Sequence, residues 1–154
     1  MKKQVYLETT VVSYLTARPS RHLLQMGRQQ MTRAWWRDRR PNFELVASPL
    51  VILEARRGDK MAAELRLAMV ENLSMLTIDD RARRLARTLL GPGAIPLKAA
   101  DDATHIALCA VHSIPYLLTW NFRHIANAEI RLKLDFLCAQ SGYRLPIICT
   151  PEEL

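Results

Sequence analysis

The sequence predicts an α/β domain built around a mainly parallel β-sheet. Short apolar runs alternate with helical patterns along the chain, which is typical of parallel strands joined by crossover helices. The chain has 154 residues, of which 49% are hydrophobic and 24% are charged. This composition excludes a disordered or fibrous protein. Because the length suits one hydrophobic core, we expect a single domain over residues 1–154.

Five apolar runs have the length and bounding residues of strands. The predicted strands are Val5–Glu8, Phe43–Ala47, Met75–Ile78, Pro115–Thr119 and Pro146–Cys149. Helix signals separate them: Ser48 and Pro49 suit the N-cap and first position of a helix, and Gly58 suits its end. Further helices are predicted from Asp79 to Leu90, over Ala100–His112 and over Glu129–Gln140.

The charge is unevenly distributed along the chain. Residues 1–60 contain 12 Lys/Arg and 5 Asp/Glu, and residues 61–154 contain 10 of each, so the whole net charge of +7 lies in the first part. Such an excess indicates a surface that meets an anionic partner, with nucleic acid favoured over a membrane.

Part of this charge lies on a predicted helix within Ser20–Arg40. On a helical wheel, Trp35 belongs to the apolar face with Leu24 and Met31 and is expected in the core. The opposite face is basic, with an aromatic side chain beside it on which bases can stack. Its candidate nucleic-acid contacts are Arg33, Trp36, Arg37 and Arg40. A solvated basic face, with the tryptophan flat on the protein or docking a partner, explains the pattern equally well.

The three cysteines, Cys109, Cys138 and Cys149, have neither the number nor the spacing of a disulfide framework or a cysteine zinc site. Buried, reduced thiols are therefore expected. No apolar run approaches the roughly 20 residues of a membrane span, and Glu8 interrupts the N-terminus too early for a signal peptide. We expect a soluble cytoplasmic protein that does not enter a membrane.

Acidic and amide side chains occur where a ligand site is expected. Glu8 ends the first predicted strand and Asn121 follows the fourth, and ligands of open α/β sheets bind beyond the carboxyl ends of strands. Glu54 lies on an apolar helix stripe, where a carboxylate is costly to bury without a partner or a metal. Asp101 and Asp102 begin a helix, whose N-terminus favours negative charge.

Each of these positions also has a purely structural explanation. Asp102 suits a helix cap, Glu54 suits a pair with Arg57, and Glu8 suits a cap of the Thr9–Thr10 turn. Three carboxylates converging on one sheet edge nevertheless indicate a site for a hard cation such as Mg²⁺ or Mn²⁺. Such ions activate water and stabilise the leaving oxygen in phosphodiester cleavage.

Four short motifs, in order and across nearly the whole chain, resemble those of PIN-domain proteins, in particular the VapC-like toxins of toxin–antitoxin pairs. They are V-Y-L-E-T-T, S-P-L-V-I-L-E-A-R-R-G, D-D-A-T-H-I-A-L and L-L-T-W-N. The resemblance maps the family's acidic quartet onto Glu8, Glu54, Asp102 and Asn121, with the metal on the first three. It implies a three-layer α/β/α sandwich and a Mg²⁺- or Mn²⁺-dependent endoribonuclease. It also implies an RNA substrate, a cognate antitoxin that covers the site, and a homodimer.

Two positions depart from the family's pattern. Glu8 and Asn121 stand where the family usually has aspartate, so the first carboxylate arm is longer and the last charge is lost. Thr10 matches the small hydroxyl residue that often follows the first acid, and it suits a role in holding either a metal-bound water or Glu8. Asp101 can restore the charge if its side chain enters the site.

The loss of charge at Asn121 motivates an alternative function, a PIN-like module that binds nucleic acid without cleaving it. A phosphoacceptor signalling domain is disfavoured, because such a site needs paired acids after the first strand. Among the remaining polar residues, His105 either pairs with Asp101 or packs in its helix. Arg123 and His124 either contact phosphate or are ordinary loop residues.

Overall fold

A parallel sheet of five strands lies at the centre of the computed structural model, which describes Met1–Leu154. The strands are β1 (Lys3–Leu7), β2 (Phe43–Ala47), β3 (Ser74–Met75), β4 (Tyr116–Leu118) and β5 (Ile147–Cys149). Their order across the sheet is β3-β2-β1-β4-β5, and every neighbouring pair is parallel. The predicted α/β class with a parallel sheet is confirmed.

Seven α-helices connect and cover the strands. They are α1 (Thr9–Thr16), α2 (Leu23–Asp38), α3 (Pro49–Ala55), α4 (Lys60–Val70), α5 (Asp80–Thr88), α6 (Ala100–Val111) and α7 (Ala128–Gln140). Right-handed crossovers in this strand order place α1 to α4 on one face of the sheet and α5 to α7 on the other. In agreement, α1 packs against α2, α3 and α4, and α5 packs against α6. The fold is the predicted three-layer α/β/α sandwich.

The core is made by strands buried on both faces and by one central helix. In β1, Val5, Tyr6 and Leu7 have no exposed surface, as expected of a parallel strand covered on both sides. Within α6, almost every residue after Asp102 is buried. The cysteines are buried free thiols, as predicted. None of the helices is both long and apolar enough to cross a membrane.

The predicted boundaries agree with the structure where local signals are strong. The bounds of β2 match, and Ser48 caps α3 by accepting a hydrogen bond from the backbone N–H of Val51. The predicted first strand includes Glu8, but this residue is the N-cap of α1. Helices α1 and α4 were not predicted; the apolar side chains of Met61 and Leu65 on α4 remain exposed, so no clear buried stripe marks it.

The strand order reverses direction between β1 and β4. Along the chain, the sheet grows from β1 outward to β3 on one side, and then from β4 to β5 on the other. In open α/β sheets, the crevice at the carboxyl ends of the strands flanking such a reversal is the usual ligand site. Glu8 directly follows β1 at this edge, and Thr119 directly follows β4.

Candidate functional site

The carboxylate of Glu8 is buried and held by hydroxyl groups. Its Oε1 accepts hydrogen bonds from Oγ1 of Thr10 at 2.6 Å and Oγ1 of Thr119 at 2.5 Å, and its Oε2 accepts one from the backbone N–H of Thr10 at 2.9 Å. Only 3% of the residue is exposed. The carboxylate is thus oriented by the first turn of α1 and by the residue that follows β4. Of the two roles expected of Thr10, the contact with Glu8 is observed, and Glu8 also caps α1 through the backbone N–H of Thr10.

Glu54 extends from the last turn of α3 toward the same region. Its Oε1 accepts a hydrogen bond from Oγ1 of Thr9 at 2.7 Å and lies 2.6 Å from Nε2 of His105. Burial acts to raise the pKa of Glu54, but the hydrogen bond and charge of His105 outweigh it and lower this pKa. The alternative pairing of Glu54 with Arg57 is not observed. The guanidinium of Arg57 instead lies 3.5 Å from the carboxylate of Asp101.

The imidazole of His105 has polar contacts on both sides. It is fully buried, with Nδ1 2.7 Å from the hydroxyl of Tyr6, which is itself 2.8 Å from Oγ of Ser48. Burial acts to lower the pKa of His105, but the hydrogen bond with Glu54 and the nearby carboxylates raise it. Of the two interpretations of His105, the pair with Asp101 is not observed; the ring is packed in its helix but bonded to two other elements.

Asp102 and Asn121 meet at a loop residue that follows β4. Oδ2 of Asp102 lies 2.9 Å from Nδ1 of His124, and Oδ1 of Asn121 accepts a hydrogen bond from the backbone N–H of His124 at 3.0 Å. The backbone carbonyl of Asn121 also accepts from Ile125 and Ala126. Asn121 therefore organises the loop that places His124 against Asp102.

Two of the three predicted metal ligands come together with a third side chain. One ligand atom from each of Glu8, Glu54 and His105 lies within 4.8 Å of the others. Two carboxylates and an imidazole form a donor set that suits a divalent cation, so this buried group can hold a metal ion. Asp102 is outside the group.

Glu54 and Asp102 instead share an open cleft of about 400 Å³ beside this group. The cleft also contains basic side chains and the first residues of α6. Its remaining lining residues are Arg57, Lys98, Ala99, Ala100, Asp101, Arg123 and His124. Asp101 enters this cleft but is paired with Arg57 and 52% exposed at its side chain. The basic side chains of this cleft can attract an anionic group toward a metal ion held by the neighbouring carboxylates.

The predicted basic face of α2 lies elsewhere. Arg40 directly precedes the segment that enters β2 at Phe43, so this end of α2 is at the amino-terminal edge of the sheet, opposite Glu8. The guanidinium of Arg40 stacks on Trp36, 4.6 Å from the ring centre, and Trp36 packs against the core. Trp36 is therefore half-buried, while Trp35 is buried as predicted.

The other two arginines of this face also have partners within the protein. Arg33 donates to the backbone carbonyl of Ala17 at 2.9 Å, and Arg37 contacts both carboxylate oxygens of Asp38 at 2.6 and 2.7 Å. The face is thus exposed and basic but does not adjoin the cleft.

Sequence reasoning did not predict three residues of the candidate site. Thr9 and Thr119 hold the two carboxylates, and Lys98 joins the cleft from the turn before α6. The threonines stand next to predicted strand ends, which is a weak signal, while Lys98 has no signal in the sequence.

No protein-family model matches the chain, and no curated protein matches it.

Proposed function

We propose that the protein is a metal-dependent endoribonuclease with a PIN-like fold. The observation that supports it is the shared cleft, in which Glu54 and Asp102 lie with Arg57, Lys98 and Arg123 beside the buried carboxylate of Glu8. Acidic side chains for a divalent cation next to basic side chains for phosphate are a combination that suits metal-assisted phosphodiester hydrolysis.

In this proposal Glu8 and Glu54 hold the ion, and Asp102 adds a third negative charge from the cleft. Mg²⁺ or Mn²⁺, when bound, lowers the pKa of a water molecule and neutralises charge that develops on the phosphate. The threonine hydroxyls hold both carboxylates in place before the substrate arrives. Asp102 also orients His124, 2.9 Å away, toward the cleft.

The basic side chains of the cleft favour an anionic substrate. Arg123 and Lys98 have no carboxylate partner within 4.0 Å, so both are free to contact phosphates on either side of the cleaved bond. The basic face with Arg33 and Arg37 is a proposed second contact for longer RNA. By the same resemblance, we propose that the chain is the toxin of a toxin–antitoxin pair, covered by an antitoxin and acting as a homodimer.

The test is Mn²⁺-stimulated cleavage of RNA by Glu54→Gln and Asp102→Asn. Both variants are expected to abolish cleavage while still unfolding in a single cooperative transition, because each replaces a carboxylate by an amide of the same shape. Glu64→Gln, at an exposed position on α4, is the matched control and should cleave normally. If both cleft variants cleave RNA like the parent, the proposal is wrong.

One observation favours a second function, RNA binding without cleavage. The side chain of Asn121 is neutral, and its oxygen already accepts the backbone N–H of His124. A pure binding module would hold RNA with a steep salt dependence and show no heat of Mn²⁺ binding in calorimetry. Saturable Mn²⁺ binding together with cleavage would exclude it.

A further inference from the structure

A buried chain of hydrogen bonds runs from Ser48 through Tyr6 and His105 to Glu54. The successive distances are 2.8 Å between the two hydroxyls, 2.7 Å to Nδ1 and 2.6 Å from Nε2 to Oε1. Ser48, Tyr6 and His105 have no exposed surface. Because Ser48 caps α3 and Glu54 lies in its last turn, the chain ties both ends of α3 to β1 and α6.

Both ring nitrogens of His105 are occupied by partners within the protein. A histidine binds a metal through a nitrogen lone pair that is not used in a hydrogen bond. Nδ1 faces the hydroxyl of Tyr6 in the core, and Nε2 faces Glu54. A ring nitrogen of His105 lies within 4.8 Å of a carboxylate oxygen of Glu8 and of Glu54. The ring would nevertheless have to give up a buried hydrogen bond to become a metal ligand.

Two arrangements of the protons satisfy every hydrogen bond from Ser48 to Glu54. If Ser48 donates to Tyr6 and Tyr6 donates to Nδ1, then His105 is neutral and Nε2–H donates to Glu54. If the ring is doubly protonated, Tyr6 donates to Ser48 instead, and Nε2–H still donates to Glu54. Either way Glu54 receives a hydrogen bond from a fully buried side chain that is also hydrogen-bonded to Tyr6.

The two oxygens of Glu54 consequently differ. Oε1 accepts from both Thr9 and His105, whereas Oε2 makes no hydrogen bond, and Glu54 lines the open cleft. An oxygen without a hydrogen-bond donor beside an open cleft is the one available to a cation. Its position is set by the two donors on the other oxygen.

We propose that His105 is a positioning residue that holds Oε1 of Glu54 and thereby presents Oε2 to the cation, and that it is not itself a metal ligand. The inference rests on the metal-binding part of the proposed function. Removing a residue that is hydrogen-bonded to a metal ligand typically weakens metal affinity by about 10–100-fold.

The first test measures Mn²⁺ affinity by calorimetry without RNA. His105→Leu is expected to weaken binding by about 10–100-fold. His105→Gln places an amide N–H near Nε2 and is expected to recover most of the affinity. Thr9→Val, which removes the second donor to Oε1, should weaken binding in the same direction. Glu64→Gln is the control and should bind like the parent.

The second test uses the unaltered protein, so it does not depend on whether a variant folds. In pulsed electron paramagnetic resonance of the Mn²⁺-loaded protein, a directly bound imidazole produces a nitrogen coupling. We expect none. A nitrogen coupling that disappears in His105→Gln would overturn the inference, as would unchanged affinity in His105→Leu or a failure of Gln to recover it.

The two proposals fail in different ways. If the parent protein binds no Mn²⁺, both the metal-dependent function and the role of His105 are overturned. If the parent binds Mn²⁺ and cleaves RNA but affinity is insensitive to His105, only the positioning role is wrong.

Discussion

The hydroxyl of Thr119 donates a hydrogen bond to the carboxylate of Glu8 at 2.5 Å, and this contact joins the ends of β4 and β1 where the strand order reverses. Thr10 donates to the same oxygen, and its own hydroxyl accepts the backbone N–H of Trp120 at 2.9 Å. The buried carboxylate is thereby built into the sheet edge, which explains how a charged group is accommodated at 3% exposure.

Thr119→Val tests this contact. The substitution keeps the shape but removes a buried donor to a charged oxygen and the acceptor for the backbone N–H of Asn121, so we expect a loss of about 1.5–3 kcal/mol in the free energy of unfolding. Urea unfolding measures it. Thr119→Ser retains the hydroxyl and should stay close to the parent. Equal stability of the valine variant would show that the hydroxyl does not support Glu8.

A second prediction concerns the cations of the cleft. Lys98→Ala and Arg123→Ala should each raise the KM for a short single-stranded RNA, because each removes one phosphate contact. Each should also reduce the slope of the logarithm of the RNA-binding constant against the logarithm of the salt concentration by about one. Arg83→Ala is the matched control, because Arg83 on α5 is exposed, is paired with Asp80 and does not line the cleft. Arg37→Ala, on the basic face of α2, should have a smaller effect on a short RNA than either cleft variant. An equal effect of Arg37→Ala would move the primary RNA contact to α2.

The Glu54–His105 pair predicts how the stability of the metal-free protein depends on pH. The pKa of Glu54 is lowered from its ordinary value of 4.5, so its contribution is present above that value and is lost as the pH falls through the folded-state pKa. The pKa of His105 is raised from 6.5, so its contribution is present below that value and is lost as the pH rises through the folded-state pKa.

The pair should therefore stabilise the fold most between pH 4.5 and 6.5. The measurement is the difference in thermal unfolding midpoint between the parent and Glu54→Gln across a series of buffers. We expect the difference to be largest within this window and to shrink on both sides. A difference that does not vary with pH would contradict the coupling of the two groups.

The thiols are expected to be unreactive in the folded protein. Burial raises the pKa of Cys138 to about 11 and that of Cys149 to about 12, and it raises the pKa of Cys109 as well. Because the thiolate is the reactive form, a thiol-specific disulfide reagent at mildly alkaline pH should label no cysteine before unfolding and all three in denaturant. Rapid labelling of any one of them in buffer would contradict this burial.

Local patterns predicted the fold class well because their causes are local. Ser48 and Pro49 mark the start of α3 by capping and by the fixed backbone angle of proline, whatever the rest of the chain does. The partners of the carboxylates could not be found in this way: Thr119 is 111 residues from Glu8, and His105 is 51 residues from Glu54. No periodicity or spacing reports on contacts at such separations.

The sequence by itself determined the alternation of strands and helices, the parallel sheet, the position of Glu8 at a strand end, and Glu54 as an acid that needs a partner. These depend on hydrophobic periodicity, on capping, and on the cost of burying charge. Tertiary structure alone decided which side chains became those partners, and that Asp102 pairs with His124 beside the cleft. It also decided that the basic face with Arg40 meets the opposite edge of the sheet. A helical wheel states which residues share a face, but the packing of the helix decides where that face lies.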